Sequence, residues 1–353
     1  MVSRDEIMAA LGRVIDPELR RPVTELDMVR EVTVDGGDVG VTIALTVAGC
    51  PLRSSFEDQV REHVAPLAGV DSVGLSFTVM TPEERSALSA KLRGPVENKG
   101  IKLPATTRAV AVASGKGGVG KSSLTVNLAA ALAGLGHEVG ILDADIYGHS
   151  VPHMLGIAQR PVVVDKLIVP PVKHGLRLMS IGFFLDDNQP VMWRGPMLHR
   201  ALEQFLQDVH WGDIDVLVVD MPPGTGDVSI SLGQLLPRAE ALVVTTPQPL
   251  AQEVASRAAT MAQKTGLRLL GVVENMTSDV FGSGGGAALA QQLDAPFLGS
   301  VPLDSRLREA GDAGLPIMLS DPDSTTSRTI AEIARTIDES RVGGFTRTLP
   351  LVG

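Results

Sequence analysis

The residues best able to do chemistry stand in one stretch, Ser114-Gly115-Lys116-Gly117-Gly118-Val119-Gly120-Lys121-Ser122-Ser123. It contains the spacing G-x-x-x-x-G-K-[ST], with a second lysine, Lys116, directly after the first glycine. Glycines at this density let successive backbone N–H groups turn inward, and a helix starting just beyond adds positive potential, which suits a phosphate chain. Lys121 can reach the β- and γ-phosphates of a nucleotide, and the Ser122 hydroxyl can bind magnesium. Lys116 points away from its own helix axis and can reach phosphates held by a facing subunit. The whole loop, Gly115 to Ser123 with Gly117, Gly118, Val119 and Gly120 between, is therefore expected to hold the nucleotide. The plain alternative is a glycine-rich turn between a strand and a helix.

Two carboxylates suit the same chemistry. Asp220 ends the apolar run 216–219 and opens Asp220-Met221-Pro222-Pro223-Gly224-Thr225-Gly226-Asp227. Asp145 follows Ile141-Leu142-Asp143-Ala144. Asp220 is expected to hold magnesium, Asp145 to position the attacking water, and the Gly224 N–H to sense the γ-phosphate. Lone aspartates at strand ends otherwise serve as helix caps or solvated groups.

These groups need elements to position them. An apolar run at 109–113 leads into the loop and a helical run at 124–133 leads out. Beyond it the pattern alternates strand and helix, with strand candidates at 110–113, 139–142, 176–181, 216–219, 241–245, 269–273 and 297–301. Continuous apolar runs of this kind predict buried parallel strands in an α/β fold, a doubly wound sheet that places ligands at its carboxyl ends. Residues 1–83 read as a separate small α/β domain. They show helical spacing at 5–15, a hairpin of 31–34 and 39–47 about Asp35-Gly36-Gly37-Asp38, a helix at 51–67 and a strand at 72–80. From Thr81 to Arg108 the chain is polar and proline-punctuated and reads as a helix remnant followed by a linker, with the linker set at 84–107. Residues 108–340 form the nucleotide domain, and 341–353 a loosely ordered tail.

Composition narrows the class. The 353 residues are 44% hydrophobic and 20% charged, with a formal net charge of −10, which argues against a general nucleic-acid surface. No apolar run approaches a membrane span and the N-terminus lacks the order of a signal peptide, so a cytoplasmic protein is expected. The single cysteine, Cys50, excludes an intramolecular disulfide framework. It precedes Pro51 at a strand-to-helix junction, where a thiol can be reactive or a transient metal ligand, or simply buried. His149 and His153 have chelating i,i+4 spacing, but Pro152 lies between them.

The loop with its extra lysine resembles the deviant Walker A class of P-loop ATPases, which includes MinD, ParA and the nitrogenase iron protein. Trp193-Arg194-Gly195-Pro196-Met197, the run onward to Trp211-Gly212, and Asp220 to Asp227 narrow the likeness to the Mrp/ApbC family of iron–sulfur cluster carriers. Asp143-Ala144-Asp145-Ile146-Tyr147-Gly148, Glu274-Asn275-Met276 and Val301-Pro302-Leu303-Asp304 support it. Asp16-Pro17-Glu18-Leu19 and Thr46-Val47-Ala48-Gly49-Cys50-Pro51-Leu52 resemble the SufT/PaaD type of small domain. The likeness implies a P-loop NTPase fold and a homodimer that binds ATP and Mg2+ and hydrolyses ATP slowly. Lys116, Lys121 and Asp145 would be catalytic, with Lys116 acting across the interface, and Asn275 and Pro302 would lie near the adenine. An Asn amide can satisfy a purine edge, although an ordinary turn residue is the alternative. Iron–sulfur scaffold proteins and recipient apoproteins are the implied partners, with neither nucleic acid nor membrane.

One departure is plain. The family's carriers hold a bridging [4Fe–4S] cluster with a C-x-x-C pair shortly after Glu-Asn-Met, and here Thr277-Ser278-Asp279-Val280-Phe281-Gly282 follows. Such clusters need thiolates, four per cluster. The implied iron–sulfur cluster therefore has no evident ligands, and a metal-free, nucleotide-switched dimeric scaffold of the MinD or ParA kind is the alternative function.

Overall fold

The computed structural model describes residues 2–47, 52–93, 103–104, 106–146, 148–185, 195–224 and 226–340. Cys50, Tyr147, Trp193, Arg194, Thr225 and the tail 341–353 lie outside the described residues. The chain divides into two compact units.

The first unit opens with α1 (Arg4–Leu11), started by a capping box in which the Ser3 hydroxyl accepts from the Glu6 N–H and the Glu6 carboxylate from the Ser3 N–H. The helix stops at Gly12, short of the expected Ile15, which instead bridges to Pro22. Asp16 then closes a turn, its Oδ1 accepting from the N–H groups of Glu18 and Leu19 at 2.9 Å each. β1 (Val29–Asp35) and β2 (Asp38–Leu45) pair antiparallel about Gly36-Gly37, with Gly36 at φ +63°, as a tight hairpin requires. α2 (Arg53–Val64) crosses to β3 (Ser72–Val79), which lies parallel to β2 in the order β1-β2-β3, and α3 (Pro82–Arg93) follows.

From β4 (Arg108–Ser114) the chain winds strand and helix in turn: α4 (Lys121–Gly134), β5 (Val139–Asp143) and α5 (Val151–Met154). The hairpin of β6 (Val162–Val164) and β7 (Leu167–Val169) precedes β8 (Val172–Lys173) and β9 (Leu176–Ser180). A short 3-10 turn, Ile181–Phe184, leads toward α6 (Gly195–Gln207) and β10 (Val216–Asp220). Next come α7 (Asp227–Leu235), β11 (Glu240–Thr245), α8 (Pro249–Lys264), β12 (Arg268–Thr277), α9 (Gly285–Gln292) and β13 (Phe297–Pro302). α10 (Ser305–Asp312), α11 (Ile317–Ser320) and α12 (Thr325–Glu339) complete the described chain.

The second unit is built on an eight-stranded sheet ordered β13-β12-β11-β4-β10-β5-β9-β8, parallel throughout from β13 to β9. All seven strands expected from apolar runs are present in it. β5, β9, β10 and β11 are buried at every residue, because helices cover both faces. The order reverses about β4: the chain runs outward through β5 to β9, returns as β10, and then fills the opposite side with β11 to β13. Reversal opens a crevice at the carboxyl ends of β4 and its neighbours.

The first unit takes in more than the N-terminal stretch. Residues 160–172 and 207–212 belong to it. Val164 and Val169 of the β6–β7 hairpin join Ile7, Leu11, Ile43 and Phe56 in its apolar core. The 207–212 segment bonds to β7: the Ile168 N–H donates to Asp208 O and the His210 N–H to Ile168 O, both 2.8 Å.

Candidate functional site

β4 delivers Ser114 to the carboxyl edge of the sheet, and α4 starts at Lys121. Between them Gly118 and Gly120 both sit at φ +79°, where a side chain would be strained. A Cβ on Gly115 would lie 2.2 Å from the backbone of Val254 in α8, so only glycine fits there. None of the N–H groups from Lys116 to Ser123 has an acceptor among the described residues, and open space faces Gly117 and Gly118. A concave run of unpaired donors at a helix start is an anion cradle. Lys116 is exposed on this loop, without an ion-pair partner among the described residues.

Behind the loop the charges are buried together. The Lys121 ammonium lies 2.8 Å from Asp220 Oδ1, 3.5 Å from Asp145 Oδ2 and 3.2 Å from Ser122 Oγ. Ser122 Oγ donates to Asp220 Oδ2 at 2.6 Å, and Thr125 Oγ1 lies 2.7 Å from Asp220 Oδ1. Asp143, fully buried, accepts from Ser180 Oγ (2.8 Å) on one oxygen and from the Asp145 N–H (3.2 Å) on the other. Burial, with the nearby Asp220 charge, pushes the Asp143 carboxyl up to about 8. A cavity of about 640 Å³ opens over this group, lined by Gly118, Lys121, Asp145, Leu198, Pro223 and Val228 among others.

The structure thus brings Lys121, Ser122, Asp145 and Asp220 to one point. The Gly224 N–H, at φ +93°, donates to Ser114 O at 2.8 Å and ties the segment after β10 to the loop. Asn275 is a buried residue of β12, and its Nδ2 donates to Val119 O at 2.8 Å. Asn275 and Pro302 line a second cavity of about 290 Å³ beside Gly120, with Met154, Leu303 and Arg308. Sequence reasoning missed Thr125, Asp143 and Ser180. Thr125 sits one helical turn after Lys121, a spacing that places the pair on one face, and Asp143 stands two residues before Asp145 in the same motif. Ser180 left no signal, being the last residue of a buried strand.

The turn after Asn275, where the resemblance leads one to expect a cysteine pair, is closed on itself. Ser278 and Gly282 exchange N–H···O bonds of 3.2 and 2.7 Å, and the Phe281 N–H donates to Ser278 Oγ at 3.1 Å. The buried Glu274 carboxylate accepts from the Gly284 N–H (3.1 Å), the Gly286 N–H (2.8 Å) and Ser300 Oγ (3.0 Å). Two of these donors belong to the start of α9 and the third to β13.

Comparison with known proteins is consistent along nearly the whole chain. The pattern of the NUBPL iron-transfer P-loop NTPase family matches residues 105–338, and that of the iron–sulfur cluster assembly protein domain matches residues 4–76. An iron–sulfur cluster carrier protein of Mycobacterium tuberculosis is 51% identical over 96% of this chain and 93% of its own length. One of Bacillus subtilis is 43% identical over 86% and 89%. Among solved structures, a nucleotide-binding protein of Archaeoglobus fulgidus in complex with ADP is 37% identical, with a TM-score of 0.52 over 59% of this chain and 86% of that one. MinD of Pyrococcus horikoshii complexed with Mg-ADP shares the fold at 22% identity, with a TM-score of 0.52 over 66% and 96%.

Proposed function

Since the chain belongs to the iron–sulfur cluster carrier proteins with a NUBPL-type P-loop NTPase domain, we propose that it is an ATP-hydrolysing factor that handles iron–sulfur clusters for recipient apoproteins. The observation that carries the nucleotide half is the Lys121–Asp220–Ser122 cluster beneath a loop of unpaired N–H groups. The donors from Lys116 to Ser123 would hold the phosphate oxygens, and Lys121 would bridge the β- and γ-phosphates. Ser122 and Asp220 fit a magnesium ion, being a hydroxyl and a carboxylate 2.6 Å apart beside the cradle. Such an ion, when bound, supplies neutralisation of phosphate charge. Asp145 would orient the attacking water, and Lys116, exposed and without an ion-pair partner among the described residues, would reach the nucleotide of a second copy in a homodimer. Asn275 and Pro302 would border the adenine, with the Asn275 amide orientation fixed by Val119.

The residues after Glu274 do not fit a cluster bound in the family's manner: the turn carries no cysteine, and Ser278, Phe281 and Gly282 are bonded within it. The cluster, as cargo, would therefore rest on other ligands, Cys50 or groups supplied by a partner. The same self-contained turn favours a second reading, a metal-free dimeric switch.

Anaerobic reconstitution with iron and sulfide, with ATPase activity measured on the same sample, separates the two. Charge-transfer absorbance that passes to an apoprotein acceptor is expected for the carrier. Robust ATPase activity with no such absorbance would remove the carrier reading and leave the switch. Absence of ATPase activity would remove the hydrolytic half of both.

A further inference from the structure

Asp145 lies beyond the end of β5, in a stretch with neither helix nor strand, yet water-orienting chemistry needs it held to within a fraction of an ångström. Its side chain accepts from the Gly148 N–H at 3.1 Å and lies 3.5 Å from the Lys121 ammonium. A further anchor is on its main chain. The Asp145 N–H donates to Asp143 Oδ1, Asp143 Oδ2 accepts from Ser180 Oγ, and Ser180 Oγ accepts from the Gly182 N–H at 3.1 Å. Asp143 and Ser180 are register partners at the ends of β5 and β9, and both are fully buried. The downstream end of the same stretch is anchored on the same turn. His149 packs its ring over Gly182, so closely that a Cβ there would lie 2.4 Å from His149 Cδ2, and its Nδ1 lies 3.2 Å from Ile146 O.

We infer that Ser180 is a positioning residue for ATP hydrolysis, acting through Asp143 on the backbone of Asp145, with the Gly182–His149 contact as the second anchor of that stretch. Nothing in the sequence motifs or in the named relatives assigns Ser180 or Gly182 a part in the reaction. The inference rests on the proposed role of Asp145. A serine that merely caps the Ile181–Phe184 turn would affect stability alone; a positioning serine alters turnover at unchanged nucleotide binding.

The test uses the full chain and measures kcat and KM for ATP, nucleotide affinity and melting temperature. Ser180→Ala is expected to lower kcat about tenfold while KM and affinity stay within about twofold, and Ser180→Thr, which keeps the hydroxyl, to recover most of the loss. Combined with Asp145→Asn, Ser180→Ala should cost nothing further, since both act on one group. Gly182→Ala, which keeps the N–H that Ser180 Oγ accepts, should lower kcat by displacing His149, and it tests the second anchor even if Ser180→Ala loses its melting transition. Normal kcat in Ser180→Ala, or a further loss on top of Asp145→Asn, overturns the inference. If Asp145→Asn itself turns over normally, the hydrolytic role of Asp145 fails instead.

Discussion

Two glycine-rich joints at the same edge of one sheet have opposite fates. The loop from Ser114 to Ser123 links β4 to α4, and the turn from Thr277 to Gly284 links β12 to α9. Each runs from a strand's carboxyl end to a helix start, where N–H groups lack intrahelical acceptors and the helix dipole favours an anion. At α9 the anion is part of the chain: Glu274 reaches across the turn and takes the N–H groups of Gly284 and Gly286. At α4 no side chain among the described residues does so, and the carboxylates Asp220 and Asp145 turn to Lys121 instead. Glycine content makes both joints possible; the destination of their N–H groups decides which one can bind a ligand.

Four experiments sharpen or break this contrast. The largest effect is expected for Lys121→Ala, which removes the cation facing the cradle and should weaken ATP binding roughly 100-fold or more, measured by calorimetry. Lys116→Ala should keep most of the binding and cut turnover about tenfold in a steady-state assay; equal loss of both would argue against action across a dimer. Glu274→Ala leaves the Gly284 and Gly286 N–H groups unpaired, which should cost about 2 kcal/mol in denaturant unfolding with nucleotide affinity nearly unchanged. A fall in affinity matching that of Lys121→Ala would collapse the distinction between the joints.

The fourth experiment concerns pH. Asp143 is raised from an ordinary 3.8 to about 8, and Glu18 in the first unit from 4.5 to about 7, mainly by burial and then by the charges of Asp220 and Asp16. A carboxyl raised on folding contributes stability that is complete below its unfolded pKa and lost as pH climbs through its folded one. The nucleotide-free chain should therefore become less stable from about pH 4 to pH 8. Asp143→Asn should flatten that decline up to about pH 8, and Glu18→Gln only up to about pH 7, in melting curves taken across the range.

Much of this was legible in the sequence because its causes are local. Continuous apolar runs set the seven parallel strands, Gly36-Gly37 set the hairpin, and glycines with Lys121 and Ser122 set the cradle. What escaped depends on register between distant strands. Ser180 meets Asp143 only because β5 and β9 lie side by side, and Glu274 caps a helix eleven residues on only because β12 carries it to the turn. The hairpin of β6 and β7 was equally hidden, since Val162-Val163-Val164 reads as any apolar run and nothing local says whose core it enters.

That hairpin bears on how the protein is made. Synthesis from the N-terminus releases the first unit's strands and helices early, but two of its core valines, Val164 and Val169, and the segment 207–212 emerge later. At ordinary translation rates residues 94 to 212 take on the order of ten seconds to appear. For that interval the nascent first unit lacks part of its core, and chaperone contact with the ribosome-bound chain should persist until residue 212 has left the tunnel.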